Sequence, residues 1–209
     1  MSTQDAPVRS AHLARLEESL RAFEPQVPRI EAWGRRAAQL LIAGGRLLAC
    51  GNGGSAEQAQ HLTTELVGRY QDERQPLAAL ALTYDTTVVT AIGNDYGAAQ
   101  VFARQVRAHG RPGDLLVCLS TSGRSPNVIA AAEAAAVVGM TTWALTGPGP
   151  NPLAAACADA VTVDAPATST VQEVHLAAIH IMCAAIDAAV RDDLAAVRDD
   201  VAAVLEAAR

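Results

Sequence analysis

The hydrophobic pattern begins with two stretches of helical period. Residues 9–23 and 28–44 repeat apolar side chains three and four positions apart, with polar side chains between them. Pro25 and Pro28 separate the two stretches, because the residue before a proline disfavours helical dihedral angles. The sequence therefore predicts two amphipathic helices over about residues 9–44.

From about residue 45 onward, short apolar runs alternate with helical segments. The runs are apolar at consecutive positions, as expected for parallel strands that helices cover on both faces. This alternation indicates βαβ units, and it predicts an α/β fold with three layers, α/β/α, around a five-stranded parallel sheet. The predicted strands are 46–50, 76–82, 114–120, 141–147 and 159–165. The predicted helices are 55–67, TTVVTAI, AAQVFARQVRAHG, 125–139, 151–157 and a long one from about residue 170, with GNDYG (93–97) as a break between the second and third.

Composition limits the kind of core and the kind of partner. Half of the 209 residues are hydrophobic but only 3% are aromatic, so the core must consist of Ala, Val, Leu and Ile. The net charge is -6 and no basic run occurs, which argues against a nucleic-acid surface. The N-terminus lacks the apolar segment of a signal peptide, and no uncharged apolar run reaches the ~18 residues of a membrane span. We expect no membrane partner and a cytoplasmic location.

The four cysteines show no CxxC spacing. We expect them to be reduced and mostly buried, as small hydrophobic side chains. They are Cys50, Cys118, Cys157 and Cys183.

The C-terminal segment carries a short heptad stripe. Its apolar members recur at spacings of four and three, which predicts a helical extension. The stripe could pack on its own domain or on another subunit, and the sequence favours neither. Its members are Val190, Leu194, Val197, Val201 and Val204.

A glycine-rich turn, GNGGS (51–55), follows the first predicted strand and precedes a helix. Glycines permit positive φ and a close backbone approach, and Ser55 can cap the helix. The free N–H groups at a helix N-terminus favour an anion. The turn matches neither GxGxxG nor a Walker A sequence, and a simple tight turn is the alternative interpretation.

A second turn, STSGRS (120–125), follows the third predicted strand. Four hydroxyl side chains surround Gly123, and Pro126 stands near the start of the next helix. Helix capping would explain one or two of these hydroxyls but not four, so the turn predicts a phosphate site. Ligands of such sheets bind beyond the C-terminal ends of the strands, where both turns lie.

His61 and Glu65 are four residues apart on the predicted helix after the first turn, so they share one face. An imidazole and a carboxylate on one face can move protons. A lone pair of this kind is more often a surface pair or a satisfied core group.

Five segments in order resemble the sugar isomerase (SIS) domain, and within it the sedoheptulose 7-phosphate isomerase (phosphoheptose isomerase) family. They are CGNGGSAEQAQH, TAIGNDYG, GRPGDLLVCLSTSGRSPNVI, ALTG and QEVHLAAIH, and the resemblance covers about residues 10–190. It implies a flavodoxin-like sheet and a homotetramer with active sites at subunit interfaces. It also implies a single SIS domain over 1–209, with N-terminal helices at about 9–44, a core at about 45–189 and a helical extension at about 190–209.

The resemblance implies a reaction and roles for individual residues. Sedoheptulose 7-phosphate would become D-glycero-D-manno-heptose 7-phosphate through an enediol(ate), with Glu65 as base and His180 as acid/base. Zinc, occupying the site in some relatives, would be held by His61, Glu65, Gln172 and His180, and whether it is a cofactor or an occupant stays open. The implied substrate-binding residues are Asn52, Gly53, Gly54, Ser55, Asn94, Asp95, Ser120, Thr121, Ser122, Ser125 and Gln172. No role matches His109 or His175, which we expect to be structural.

Two departures from the family pattern affect substrate details. Arg124 stands where relatives commonly have Asn, and Ser169 and Thr170 replace a stretch that often carries Arg. Arg69 could face the site of another subunit or solvent.

Two alternatives to the heptose isomerase remain. One is a non-catalytic SIS adaptor that binds a replication initiator; such relatives lose the equivalents of Glu65 and His180, which this chain keeps. The other is an isomerase or sensor for another sugar phosphate, since the serine-rich turn would suit any of them. A sugar-sensing transcription factor is disfavoured, because no helix-turn-helix precedes the domain.

Overall fold

A computed structural model of the chain describes residues 8–207, with side chains described for 11–196. Its helices are α1 Val8–Phe23, α2 Val27–Ile42, α3 Gly54–Val67, α4 Thr86–Tyr96, α5 Val101–His109, α6 Pro126–Val138, α7 Pro152–Ala156 and α8 Thr168–Ala207. Its strands are β1 Leu47–Cys50, β2 Ala79–Ala81, β3 Leu115–Ser120, β4 Thr141–Thr146 and β5 Asp159–Thr162. Short 3₁₀ turns lie at Glu24–Gln26 and Ala98–Gln100.

The five strands form one parallel sheet in the order β2-β1-β3-β4-β5. The predicted α/β class and five-stranded parallel sheet are therefore confirmed. The strand order reverses between β1 and β3, because the chain continues from β1 to β2 in one direction and from β3 to β4 in the other. Such folds bind ligands in the crevice at this point, beyond the C-terminal ends of the strands. Because Cys50 pairs with Cys118, the two strands end close together at that crevice.

Helices cover both faces of the sheet, because side chains of successive strand residues point to opposite faces. Leu47 and Ala49 of β1 pack with α2, α3 and α8, whereas Leu48 and Cys50 pack with α5, α6 and α7. The four cysteines are free; Cys157 is half-buried and the other three are buried, as predicted.

Two local predictions were wrong in detail. Strand β2 spans three residues rather than 76–82, and Leu80 on it is exposed. The GNDYG segment does not break a helix, because α4 continues through it to Tyr96 and stops at Gly97, whose φ is 83°. The long helix predicted from about residue 170 is confirmed, because α8 begins at Thr168.

Helix α8 is 40 residues long and runs from the core to the C-terminal segment. By length and composition Thr168–Ala196 could cross a membrane, but half of its most apolar window is buried inside the protein, as in the core helix of a soluble protein. Of the predicted heptad stripe, Val190 is buried and Leu194 is exposed. The side chains of Val197, Val201 and Val204 lie outside the described residues.

Candidate active site

The two predicted anion-binding turns lie side by side at the C-terminal edge of the sheet. The first follows β1 and the second follows β3, its immediate neighbour. Asn52 of the first turn and Asn127 of α6 exchange two side-chain hydrogen bonds of 2.9 and 2.8 Å. This reciprocal amide pair fixes one turn against the helix that follows the other.

The first turn uses glycine rather than serine at the start of α3. Gly53 is the N-cap residue with a φ of 54°, which favours glycine. Ser55 lies inside the helix, is 2% exposed, and does not cap it, so that prediction was wrong. The N-terminus of α3 therefore presents backbone N–H groups without a side-chain cap.

Gly54 lets α8 approach the start of α3. A Cβ on Gly54 would lie 2.6 Å from Gln172 Nε2 and 2.9 Å from Gln172 Oε1. The amide of Gln58 also donates to the Gln172 carbonyl oxygen. The absence of a side chain at Gly54 thus sets the position of the Gln172 amide beside the first turn.

The second turn gathers hydroxyl groups at the start of α6. Ser120 Oγ lies 3.1 Å from Ser125 Oγ and 3.4 Å from Ser122 Oγ. Ser125 is the N-cap residue of α6 but makes no side-chain capping bond, so its hydroxyl contacts Ser120 rather than the helix backbone. Hydroxyls at a helix N-terminus with free N–H groups form a neutral cradle for an anion such as phosphate.

Gly123 shapes this cradle through contact with α7. Its φ is 60°, and a Cβ there would lie 2.1 Å from Asn151 Cγ and Oδ1. The Asn151 side chain caps α7 by accepting from Ala154 N at 2.9 Å, and it donates to Thr146 Oγ1 at 2.9 Å. The second turn is therefore held in place by the end of β4 and the start of α7.

Two imidazoles and one carboxylate meet between α3 and α8. His61 Nε2 lies 3.0 Å from His180 Nε2 and 3.2 Å from Glu65 Oε1. One of the two Nε2 atoms must carry a hydrogen for their contact to be a hydrogen bond. The ring of Tyr70 stacks against that of His180 with centroids 5.6 Å apart. The sequence-predicted cluster of His61, Glu65 and His180 thus forms within one chain.

The donor types of this cluster suit zinc, which binds imidazole nitrogen and carboxylate oxygen. Ligand atoms around a tetrahedral zinc with ~2.1 Å bonds would lie about 3.4 Å apart, slightly farther than the 3.0 and 3.2 Å seen here. Among the described residues no three His, Cys, Asp or Glu side chains are arranged to hold a metal ion. The residue types fit zinc, but in this structure His61 contacts His180 and Glu65 directly.

A cavity of about 350 Å³ opens beside this cluster, between α3 and α8. His61 and Gln172 reach it, together with Ser169, one of the two departures from the family pattern at the start of α8. Two carboxylates also line it, and one of them, Glu173, is paired with His12 Nε2 of α1 at 2.9 Å. The full lining is Gly54, Glu57, Gln58, His61, Ser169, Gln172, Glu173 and Leu176.

Comparison with known proteins identifies the family of the chain. The sequence pattern of the SIS domain family matches residues 11–147. The phosphoheptose isomerase of Streptomyces coelicolor is 58% identical over 179 residues, which span 86% of this chain and 78% of that protein. The chain belongs to the phosphoheptose isomerase family of SIS-domain proteins. It is accordingly an enzyme of the aldose–ketose isomerase class.

Solved structures of the same family share the fold of this SIS-domain isomerase. The phosphoheptose isomerase GmhA from Neisseria gonorrhoeae has a TM-score of 0.80 at 44% identity, covering 86% of this chain and 96% of that one. The phosphoheptose isomerase from Francisella tularensis has a TM-score of 0.82 at 34% identity, covering 90% and 99%. The similarity therefore extends over nearly the whole length of both relatives.

Other candidate residues of the SIS-domain isomerase are exposed. Asn94 and Asp95 are exposed on α4 and bond to each other at 2.8 Å. Arg69 is exposed and donates to the Gln71 carbonyl oxygen at 2.6 Å. Arg124 beside the cradle is also exposed. Among the described residues, none of these four side chains makes a hydrogen bond or an ion pair with His61, Glu65 or His180.

The two remaining histidines occupy the positions expected of structural groups. His175 is fully buried, and its Nε2 lies 3.1 Å from the Thr146 carbonyl oxygen. Burial lowers the pKa of His175 to about 4, although that hydrogen bond opposes the shift. His109 is exposed at the end of α5.

Sequence reasoning missed four side chains that shape the site. Tyr70 stacks on His180, Asn127 pairs with Asn52, Asn151 supports Gly123, and Gln58 holds the Gln172 backbone. Asn127 could have been noticed, because it follows the hydroxyl-rich turn by two residues. For the others no local motif marks the contact.

Proposed function

We propose that this isomerase converts sedoheptulose 7-phosphate to D-glycero-D-manno-heptose 7-phosphate through an enediol(ate). The observation that carries the proposal is the cluster of His61, Glu65 and His180, close to two helix N-termini suited to phosphate. Phosphoheptose isomerases at up to 58% identity support the substrate.

Binding would begin at the phosphate. The hydroxyls of Ser120, Ser122 and Ser125, with Thr121 and the N–H groups of the second turn, would hold its oxygens. Backbone N–H groups of Asn52, Gly53 and Gly54 at the start of α3 would add a second set of donors, whereas the N–H of Ser55 already donates to the Asn52 carbonyl oxygen at 3.0 Å. The phosphate end would then be fixed at the strand edge, so that the carbonyl end extends toward α3 and α8.

Proton transfer would follow at C1 and C2. Glu65 removes a proton from C1 of the ketose and later returns one to C2, while His180 moves the proton between the two oxygens. His61 bridges the two groups and orients them, since it contacts both within 3.2 Å. Gln172, placed by Gly54, would donate its amide N–H to the developing oxyanion.

Zinc is part of the proposal as a ligand of the same four side chains, His61, Glu65, Gln172 and His180. When bound, it would polarise the substrate oxygens as a Lewis acid. The donor types support this, and the steps above are assigned to the side chains alone.

We infer that four copies assemble and that sites complete one another at interfaces. The exposed positions of Asn94 and Asp95 support this, because these family-matched side chains hydrogen-bond to each other and not to the cluster of their own chain. Arg69 is also exposed and bonds only to the nearby Gln71 backbone among the described residues. We further infer a cytoplasmic location, with the sugar phosphate as the partner and neither nucleic acid nor membrane; the free cysteines favour a reducing compartment.

The experiment is NMR of sedoheptulose 7-phosphate with purified protein, after chelation and again with added zinc. Appearance of the aldose supports the function, and its dependence on zinc assigns the cofactor. Fructose 6-phosphate, run in parallel, tests the alternative of a hexose phosphate isomerase. A folded protein that converts neither sugar under either metal condition would contradict the proposal and favour the adaptor.

A further inference from the structure

The loop between α3 and β2 contains a buried arginine, Arg74, to which the steps above give no role. The Arg74 side chain is 2% exposed. Its Nε donates to Asp187 Oδ1 at 2.7 Å, and Nη2 donates to the Glu65 carbonyl oxygen at 2.6 Å. Nη1 donates to the carbonyl oxygens of Leu66 and Gln75, both at 2.9 Å. One guanidinium thus binds four acceptors from three segments.

Two of these acceptors belong to the last turn of α3. The final carbonyl groups of a helix have no partner within the helix, and a cation there interacts favourably with the helix dipole. Arg74 supplies both the donors and the charge. It therefore fixes the turn from which the Glu65 side chain projects.

The acceptor Asp187 connects this turn to α8 through Arg74. Asp187 follows His180 by seven positions, which places it about 20° around the helix and about 10 Å along it. The two side chains thus project from one face of α8. Tyr70, on the loop that Arg74 closes, stacks on the His180 ring. Arg74 consequently links Glu65, Tyr70 and the helix that carries His180.

A buried thiol between the two helices lies within reach of the same charges. Burial raises the pKa of Cys183 to about 12, the carboxylates of Glu65 and Asp187 raise it as well, and Arg74 opposes them. The ion pair of Arg74 and Asp187 is therefore close enough to the Glu65 carboxylate for their charges to act on one group.

We propose that Arg74 and Asp187 are positioning residues, which set the distance between Glu65 and His180 for proton transfer. This rests on the proposed roles of Glu65 and His180. Stability alone does not account for the pair, because a buried ion pair often contributes little more than apolar side chains of the same volume. Its geometry instead joins the two helices that carry the reacting groups.

The test is Asp187→Asn, which keeps the side-chain volume and removes the charge. We expect kcat to fall about 10- to 100-fold, the scale of a ~1 Å misplacement. KM should stay within about twofold, because the phosphate is held by other loops. Arg74→Lys, which keeps the charge but loses the planar fork, should change kcat in the same direction and serves if the first variant does not fold.

Asp114→Asn is the matched control. Asp114 is also a buried carboxylate, 3.0 Å from Arg46 Nη2, but it stands just before β3, at the opposite edge of the sheet from the site. This variant should lose stability and keep kcat per folded molecule.

A second readout needs no substrate. The imidazole resonances of His180 should shift in Asp187→Asn and stay unchanged in Asp114→Asn. The inference is overturned if folded Asp187→Asn keeps wild-type kcat, if Asp114→Asn loses kcat equally, or if the His180 resonances do not move. Wild-type protein that converts no sugar would instead contradict the proposed function, and the resonances would still decide the positioning role.

Discussion

Replacing Gly54 by alanine should separate activity from stability. The backbone at Gly54 does not need a positive φ, so the new methyl group causes no conformational strain. The three atoms nearest to it all belong to the amide of Gln172, which it would approach to 2.6 Å. Because that amide is the end of a flexible side chain, it can move away while the helix stays in place.

The size of the effect follows from this distance. Ordinary contact between heavy atoms lies at about 3.5 Å, so the amide must move by about 1 Å from its place beside the first turn. A misplacement of that size can reduce a rate by about 100-fold. Replacing Gly by Ala at a compatible backbone position stabilises a fold by about 0.4–1 kcal/mol. We therefore expect kcat/KM to fall about 10- to 100-fold while the free energy of unfolding stays equal or rises.

The assay is turnover of sedoheptulose 7-phosphate combined with urea unfolding of the same samples. The control is a double-mutant cycle with Gln172→Ala, in which Gly54→Ala should have no further effect on activity. Full activity in Gly54→Ala, or an equal additional loss on the Gln172→Ala background, would refute the role given to this close approach.

Three further predictions concern the cradle, a buried histidine and the thiols. Gly123→Ala should destabilise by at least about 2 kcal/mol in thermal unfolding, because its backbone is left-handed and its methyl group would overlap Asn151; unchanged stability would contradict the contact. The pKa of His175 is about 4 in the folded protein and about 6.5 in the unfolded chain, so the unfolded chain takes up the proton first as pH falls. The free energy of unfolding should therefore fall by about 3 kcal/mol between pH 6.5 and pH 4. His175→Leu should lack that part of the acid dependence in urea titrations at several pH values. Cys157 should be the first thiol alkylated by iodoacetamide, since hydrogen bonding from Cys118 lowers its pKa while Cys118 itself is buried with a raised pKa; mass mapping that finds Cys118 labelled first would contradict this.

The sheet was predictable because its strands are continuous apolar runs, of which 114–120 matches β3 almost residue for residue. Elements whose residues favour two different local structures were not predictable. In GNDYG the glycines suggested a break, but Asp85 caps the start of α4 and only Gly97 ends it. Similarly, serine is a residue type that favours N-cap positions, but the N-cap of α3 is Gly53, with its positive φ, and not Ser55.

The candidate site was predictable where it lies within one local motif. His61 and Glu65 share a helical face, and the serine turn is contiguous in sequence. His180 joins them across 119 residues, and Arg74 meets Asp187 across 113. No spacing rule links positions so far apart. The contact of His180 was predictable only from family resemblance, and the contact of Arg74 with Asp187 is seen only in the structure.

The central claim is that Glu65 transfers the carbon-bound proton with His180 as its partner. The measurement is the rate at which deuterium enters C2 of the aldose when sedoheptulose 7-phosphate is converted in D₂O. We expect wild type and His109→Gln, an exposed histidine outside the site, to incorporate it equally. Glu65→Gln and His180→Gln should slow incorporation by about 10²–10⁴-fold. Folded Glu65→Gln that incorporates deuterium within tenfold of wild type would contradict the account.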